Sequence, residues 1–354
     1  KHIYTIREPV GVVAGILPWN FPAVLAIQKL APVLAYGNVI ILKPAEQSPR
    51  SAIRIGELSL EAGIPPGVVN VITGNGEAGA ALCSHPGVDK ISFTGSTEVG
   101  KAIMRAAGDN LQKVTLELGG KTANIIMPDA DLDAAVASTV FTSCYNSGQI
   151  CTTGSRLVTH ASIHDDFVAQ LKEQLDGLQV GDPMRDETKL GPIVSRKQYD
   201  KVNSYVAIGQ EEYESIVCGT RQADLDRGFY VNPTIFDRVE PSARIATEEI
   251  FGPVLSVINF EDEEEVVRIA NQTSYGLATA IWTRDISRAH RLAARVDSGF
   301  VWVNTNNYWT ASIPYEGHRQ SGIGADMGLE AVESYTKLKN VIVDLDPTPN
   351  PWID

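Results

Sequence analysis

Along the first third of the chain, short β-branched runs alternate with stretches of helical spacing. Val10 to Leu17 predicts a strand stopped by Pro18, and Phe21 to Tyr36 a helix ending at Gly37, which Pro32 should bend or shorten. Val39 to Lys43 predicts a second strand, Ser51 to Ala62 a helix closed by Gly63, Val68 to Ile72 a third strand, and Lys90 to Phe93 a fourth. A further helix carries Val99, Ala102, Ile103, Ala106 and Ala107 on one face. Repeated strand-helix units predict an α/β fold: a doubly wound, mainly parallel sheet with helices on both faces. Ligands of such sheets sit beyond the carboxyl ends of the strands.

After "VTLELGGK" the rhythm restarts, with strands at 124–127 and 156–159 and helices at 131–145 and 163–178. Later, strand-like runs at 277–282 and 300–304 flank a helix. The domain change therefore falls at Gly119-Gly120, and no linker-like stretch marks it, so two tightly joined α/β domains are expected. The end alternates in "KNVIVDL", 339 to 345, a strand in want of a partner, then passes into "DPTPNPWID". Three prolines forbid regular pairing there, and disorder is expected.

Length and charge narrow the function classes. A chain of 354 residues with 44% hydrophobic content can build two ordinary cores. A formal charge of -13 disfavours a polyanionic partner such as nucleic acid. Its densest run, Glu261 to Glu265, precedes an apolar-periodic stretch and reads as acids complementing a helix dipole. Cys83, Cys144, Cys151 and Cys218 show no CxxC spacing, which fits a reducing cytoplasm. Neither a membrane span nor an apolar signal region is visible, and His160 and His164 read as a surface pair, not a metal site.

Candidate chemistry lies in four short stretches. "GNGEAG", Gly74 to Gly79, matches a dinucleotide fingerprint, but no acid ends the next strand, so it reads as a flexible turn. "FTGSTEVG" sets Gly95, Ser96 and Thr97 at a strand-to-helix junction, where free N–H groups and hydroxyls can meet a pyrophosphate; any N-capped helix looks similar. "ILKPAE" sets Lys43 at a strand's carboxyl end and Glu46 three residues on. That carboxylate can accept from both ribose hydroxyls and would repel a 2′-phosphate, favouring NAD over NADP; an ordinary surface ion pair is the other reading. In "YNSGQICTTGS", Cys151 sits among small and polar residues on a loop entry after a helix, exposed enough to react and open to a pKa lowered by nearby dipoles. The other three cysteines read as buried hydrophobes.

Eight stretches in order, "GVVAGILPWNFP", "GNVIILKPAEQSP", "FTGSTEVG", "VTLELGGK", "NSGQICT", "TEEIFGPV", "YGLATAIWT" and "SGFVWVN", together resemble the aldehyde dehydrogenase superfamily along nearly the whole chain. The resemblance implies Cys151 as nucleophile, Glu117 of "LELGG" as general base, and Asn20 of "PWNFP" as an oxyanion donor beside the Cys151 N–H. Asn20 also reads as an N-cap of the following helix, and Glu117, taken alone, as a charge on a strand edge. For the cofactor it implies Lys43 and Glu46 on the adenosine ribose, Ser96 on the pyrophosphate, Glu249 on the nicotinamide ribose and Phe251 on the ring's flank. A glutamate at 117 points to hydrolysis and a free acid, since relatives that transfer the acyl group to coenzyme A characteristically lack it. Residues near Tyr145, the helix after Phe21, and Tyr308 and Trp309 of "NTNNYWTAS" should line the substrate approach, as an aromatic wall or as plain packing.

The resemblance also implies an organisation: a strand at 1–9 for oligomerisation, a Rossmann-like NAD domain at 10–119 with a return segment at 319–338, a catalytic domain at 120–318, and an oligomerisation strand and tail at 339–354. It implies a homodimer or homotetramer in which the strand at 339–345 pairs with a neighbouring subunit. The family carries a further segment ahead of the point where this chain begins, so a fragment or a short form is expected, with apolar faces left uncovered. In "IPYEGHRQSG", 313 to 322, Glu316 and Arg319 depart from the family's paired glycines and lysine. Two rival readings stand beside the dehydrogenase: a catalytically silent assembly component, and a thiol esterase.

Overall fold

In the computed structural model, residues 1–222, 225, 227–347 and 352 are described. Most of the proline-rich tail expected to be disordered, 348–351, 353 and 354, lies outside the described residues.

The N-terminal strand β1 (His2–Pro9) is followed by five strands of a six-stranded sheet: β2 (Val12–Ile16), β3 (Val39–Lys43), β4 (Val69–Val71), β5 (Lys90–Thr94) and β6 (Lys113–Glu117). These five run parallel in the order β6-β5-β2-β3-β4, and the short strand Gly322–Ile323 adds antiparallel to β6. Because β2 has β3 on one side and β5 on the other, successive crossovers run in opposite directions from it, leaving a crevice at the carboxyl ends of β2 and β5. Core residues alternate between the two faces: Val13, Ile40 and Leu42 pack in one cluster, Ala14, Ile91 and Leu116 in the other.

A second sheet of seven strands takes β7 (Ala123–Ile126) and β8 (Arg156–His160) into its middle, with Val254–Phe260 beyond β8 and Ala278–Trp282 beyond β7. Its strands also place neighbouring residues in opposite cores, Ile125 and Val158 in one and Ile126 and Leu157 in the other. Buried on both faces, such strands read as continuous apolar runs, which is why periodicity located them. The α/β expectation is borne out.

Helices α1 (Pro22–Ala35) and α2 (Arg50–Glu61) follow β2 and β3. Pro32 does not shorten α1, which runs on through it to Ala35; its missing N–H removes a single backbone bond. The "GNGEAG" stretch is not a flexible turn, because helix α3 (Gly76–Ser84) starts inside it, capped where Asn75 accepts from the Glu77 N–H. Helix α4 (Thr97–Asn110) buries Gly100, Ile103 and Ala107, whereas Val99 and Ala102 face outward; the buried stripe is offset from the apolar one. Helices α5 (Leu132–Cys144) and α6 (His164–Asp176) flank the second sheet, and α7 (Arg196–Gln210) is a helix the sequence reading missed.

The acidic run forms the first turn of the helix Glu263–Ala270, capped by Asp262, in agreement with the dipole reading. The histidines do not form a surface pair. His164 is buried, with one ring nitrogen 3.0 Å from Thr159 Oγ1 and the other 2.9 Å from Asp237 Oδ1. The strand Thr336–Val343 finds its partner within the chain, pairing antiparallel with all of β1 in a two-stranded ribbon. Among the described residues no helix is long and apolar enough to cross a membrane, and no cluster of metal-ligating side chains occurs.

Candidate active site

The carboxyl ends of β2, β5 and β6 meet the amino ends of the second sheet around a pocket of about 460 Å³. Asn20, Ser96, Glu117, Cys151, Glu249 and Phe251 all line it. Lys43 and Glu46 do not; they stand at the end of the neighbouring strand, β3.

Cys151 reaches the pocket through a tight descent from α5. Asn146, Ser147 and Gly148 all adopt left-handed backbone, and the Gln149 side chain ties the turn by donating to the Asn146 carbonyl and accepting from the Val194 N–H. The loop then passes Gly120 so closely that a Cβ there would stand 2.5 Å from the Cys151 carbonyl oxygen. Thr152 Oγ1 is fixed on Asn307 Oδ1 at 2.7 Å. Contrary to expectation, the thiol is half-buried and apolar side chains join the polar ones around its pocket: Ile150, Phe141 and Tyr315 line it with Asn20, Glu117 and Glu249, and Sγ lies 3.6 Å from the Tyr315 hydroxyl. Nor is its pKa lowered. Burial pushes it up to about 11, aided by the charges of Glu249 and Glu117 and opposed by the Tyr315 hydrogen bond. The other three thiols are buried as expected.

Asn20 Nδ2 donates to the Gln149 carbonyl at 3.0 Å, while the Asn20 carbonyl accepts from Asn146 Nδ2 at 3.0 Å. This holds the "PWNF" and "SGQIC" loops together and leaves one Asn20 N–H for the pocket. Asn20 is not the helix cap: that position belongs to Phe21, which makes no side-chain capping bond, because Pro22 already supplies a first-turn residue lacking an N–H.

Glu117 ends β6, which has neighbours on both sides, so it is not on an edge. The residue is 3% exposed and neither carboxylate oxygen has a hydrogen-bond partner. Burial, reinforced by the charges of Asp326 and Glu316 and opposed by Lys29, raises its pKa well above the usual carboxylate range.

The adjacent acids of "TEEIFGP" part company. Glu248 turns away to Arg244 and Tyr205, whereas Glu249 enters the pocket and accepts the Gly120 N–H at 3.0 Å. A Cβ on Gly119 would lie 2.6 Å from the Glu249 carboxylate, so the Gly119-Gly120 pair admits both that acid and the Cys151 backbone. Phe251 sits in left-handed backbone, φ 62°, held by Gln198 Nε2 donating to the Ile250 and Phe251 carbonyls and by edge-to-face contact with Trp19. Ser96 caps α4, accepting from the Val99 N–H, so the first turn of α4 opens onto the pocket. Lys43 Nζ stands 3.9 Å from Glu46, the lysine buried and the glutamate exposed. These features fit a dinucleotide: a helix start for the phosphates, an inward carboxylate for a ribose, and a rigid ring pair for a flat heterocycle.

The expected aromatic lining is present apart from one residue. Phe21, Tyr145 and Phe141 stack in sequence, with Trp309 and Tyr315 across the pocket. Tyr308 does not line it; its side chain is exposed and its carbonyl accepts from Trp302 Nε1. Sequence reasoning missed Gln198, Lys201 and Tyr315 as pocket residues. For Gln198 a signal existed, since Ser195 to Gln198 is a capping-box spacing that announces α7; Tyr315 stands on an irregular loop with no such mark.

Known proteins place this architecture. The model of the aldehyde dehydrogenase family matches residues 1–341. The NADP/NAD-dependent aldehyde dehydrogenase PuuC of Escherichia coli is 46% identical over 96% of this chain and 69% of its own length. A betaine aldehyde dehydrogenase of Cereibacter sphaeroides is 43% identical over 99% of this chain and 72% of its own length. Among solved structures, the betaine aldehyde dehydrogenase of Staphylococcus aureus in complex with NAD+ superposes with a TM-score of 0.95 at 37% identity, covering 99% of this chain and 70% of that one. With a matching fold and family pattern over nearly its whole length, the chain belongs to the aldehyde dehydrogenase family.

Proposed function

We propose that the chain oxidises an aldehyde to the carboxylic acid with NAD, using Cys151 as nucleophile, Glu117 as general base and Asn20 as oxyanion donor. One observation carries this: the Cys151 thiol shares its pocket with a buried carboxylate, Glu117, whose oxygens have no hydrogen-bond partner, an arrangement that costs stability and serves no packing role. The Cys151 thiolate adds to the carbonyl carbon, and the resulting oxyanion takes hydrogen bonds from Asn20 Nδ2 and the Cys151 N–H. Bound NAD supplies the hydride acceptor that lets this thiohemiacetal collapse to a thioester. Glu117 then removes a proton from water, the hydroxide adds to the thioester carbonyl, and the thiolate leaves with release of the acid.

Glu249 and Phe251 would hold the nicotinamide end of the cofactor, with Gln198 and Lys201 beside them, and Ser96 the pyrophosphate. Lys43 and Glu46 would reach the adenosine ribose from the next strand end. The proposed domains, 10–119 with 319–338 and 120–318, are supported by the division of strands between two sheets. The exposed apolar side chains Ile3, Ile6, Leu338 and Ile342 on the ribbon support assembly into a homodimer or homotetramer. The aromatic approach suits an aldehyde with an aromatic body or a cationic amino group, the latter in line with the betaine aldehyde of its relatives.

NADH formation by the purified chain with NAD and a panel of aliphatic, aromatic and amino-aldehydes is the test. Turnover that disappears in Cys151→Ala supports the reading and ranks the substrates. Silence from a folded chain, or full activity in Cys151→Ala, overturns it.

A further inference from the structure

Tyr315 has no role in the chemistry above, yet its hydroxyl lies 3.6 Å from Cys151 Sγ. Its position is built by the fold and not by the sulfur. The ring packs against Phe300 at 4.8 Å and edge-on to Trp309 at 6.5 Å. Its backbone carbonyl accepts from the Asp326 N–H, and the next residue, Glu316, presses its carbonyl so tightly on Gly299 that no Cβ would fit there. Two faces of packing and two backbone anchors therefore aim one hydroxyl at one sulfur.

A phenol so placed is a donor throughout the working range, because burial and the nearby Cys151 and Glu117 charges hold its proton well above pH 10. The thiolate needs such a donor, as it must form in a pocket that desolvates it and beside two carboxylates, Glu117 and Glu249. We infer that the Tyr315 hydroxyl donates a hydrogen bond to the Cys151 thiolate, making Tyr315 a catalytic residue that sets how much nucleophile is present at neutral pH. Once sulfur bonds to the substrate carbon its charge is gone and it becomes a weak acceptor, so the hydroxyl is released toward the incoming group. This inference rests on Cys151 being the nucleophile.

Alkylation of Cys151 by iodoacetamide, followed by mass spectrometry of its peptide from about pH 7 to about pH 12, tests it in the whole chain and in Tyr315→Phe. The phenylalanine keeps the ring contacts, and a thermal melt of each protein checks that it folds alike. The expected result is a midpoint about one unit higher in Tyr315→Phe, which slows alkylation at neutral pH about threefold, an about tenfold loss of thiolate being offset in part by its greater nucleophilicity. At high pH the variant should react as fast as wild type or faster, since an unshielded thiolate is the better nucleophile; a merely structural role would not give that crossing. An unchanged midpoint with Cys151 reactive in both proteins overturns the inference alone. A Cys151 no more reactive than Cys83 or Cys218 at any pH overturns it together with the nucleophile reading.

Discussion

Two acids buried in one neighbourhood, Glu117 and Asp326, meet opposite fates. Asp326 is 1% exposed and fully engaged: it accepts from Lys29 Nζ at 2.8 Å, from the Tyr335 hydroxyl at 2.7 Å and from Ser92. Burial alone would raise its pKa, but Lys29 and Lys90 outweigh that and hold it below the usual aspartate value. Glu117 is buried to the same degree with no partner, and its pKa moves the other way. For these two acids the contrast separates framework from function: Asp326 has both oxygens hydrogen-bonded inside the core, and Glu117, left unsatisfied, opens onto the pocket.

Removing the thiol that shares the pocket with Glu117 gives the largest expected effect. Cys151→Ala should lower NADH formation on the order of 10⁴-fold or more with an unchanged denaturation midpoint. Glu117→Gln should slow acyl release about 10²- to 10⁴-fold while leaving a stoichiometric burst of NADH in rapid-mixing traces. On the framework side, Asp326→Ala strands Lys29 in the core and should cost about 3–5 kcal/mol of unfolding free energy, read from urea denaturation; equal stability would undo the distinction drawn between the two acids.

Titration sharpens the comparison further. Because the folded chain holds the Glu117 proton more tightly than the unfolded chain, stability attributable to this group falls as pH rises from the ordinary glutamate value to the folded one. Melting temperatures of wild type and Glu117→Gln should therefore diverge in the variant's favour across that window. Acyl release should rise with pH over the same interval in wild type and stay flat in the variant. Smallest is a control distant from both acids: Asp262→Ala removes the cap of the helix Glu263–Ala270 and should cost about 1 kcal/mol without changing turnover.

Much of this was legible in the chain itself. β-Branched runs located the central strands of both sheets because those strands are buried on both faces and need no pairing information to be seen. Motif order brought Asn20, Glu117, Cys151 and Glu249 forward as candidates, and the fold gathers all four on one pocket. What failed did so for identifiable reasons. Asn75 turned a glycine-rich "turn" into a capped helix. His164 looked superficial until Asp237, 73 residues on, covered it. Cys151 looked exposed because its sequence neighbours are polar, while Tyr315, whose hydroxyl meets its sulfur, comes from elsewhere.

Local pattern determined the alternation of strands and helices along most of the chain and the two-sheet architecture, since periodicity acts over a few positions, while the candidate site residues were named through the resemblance to the family. The protonation states, the ion pair between Lys29 and Asp326 across 297 residues, the exclusion of Tyr308 and the approach of Tyr315 to the sulfur were decided only in three dimensions. Desolvation and hydrogen bonding depend on which distant segments close around a group, and no local stretch of sequence contains that information.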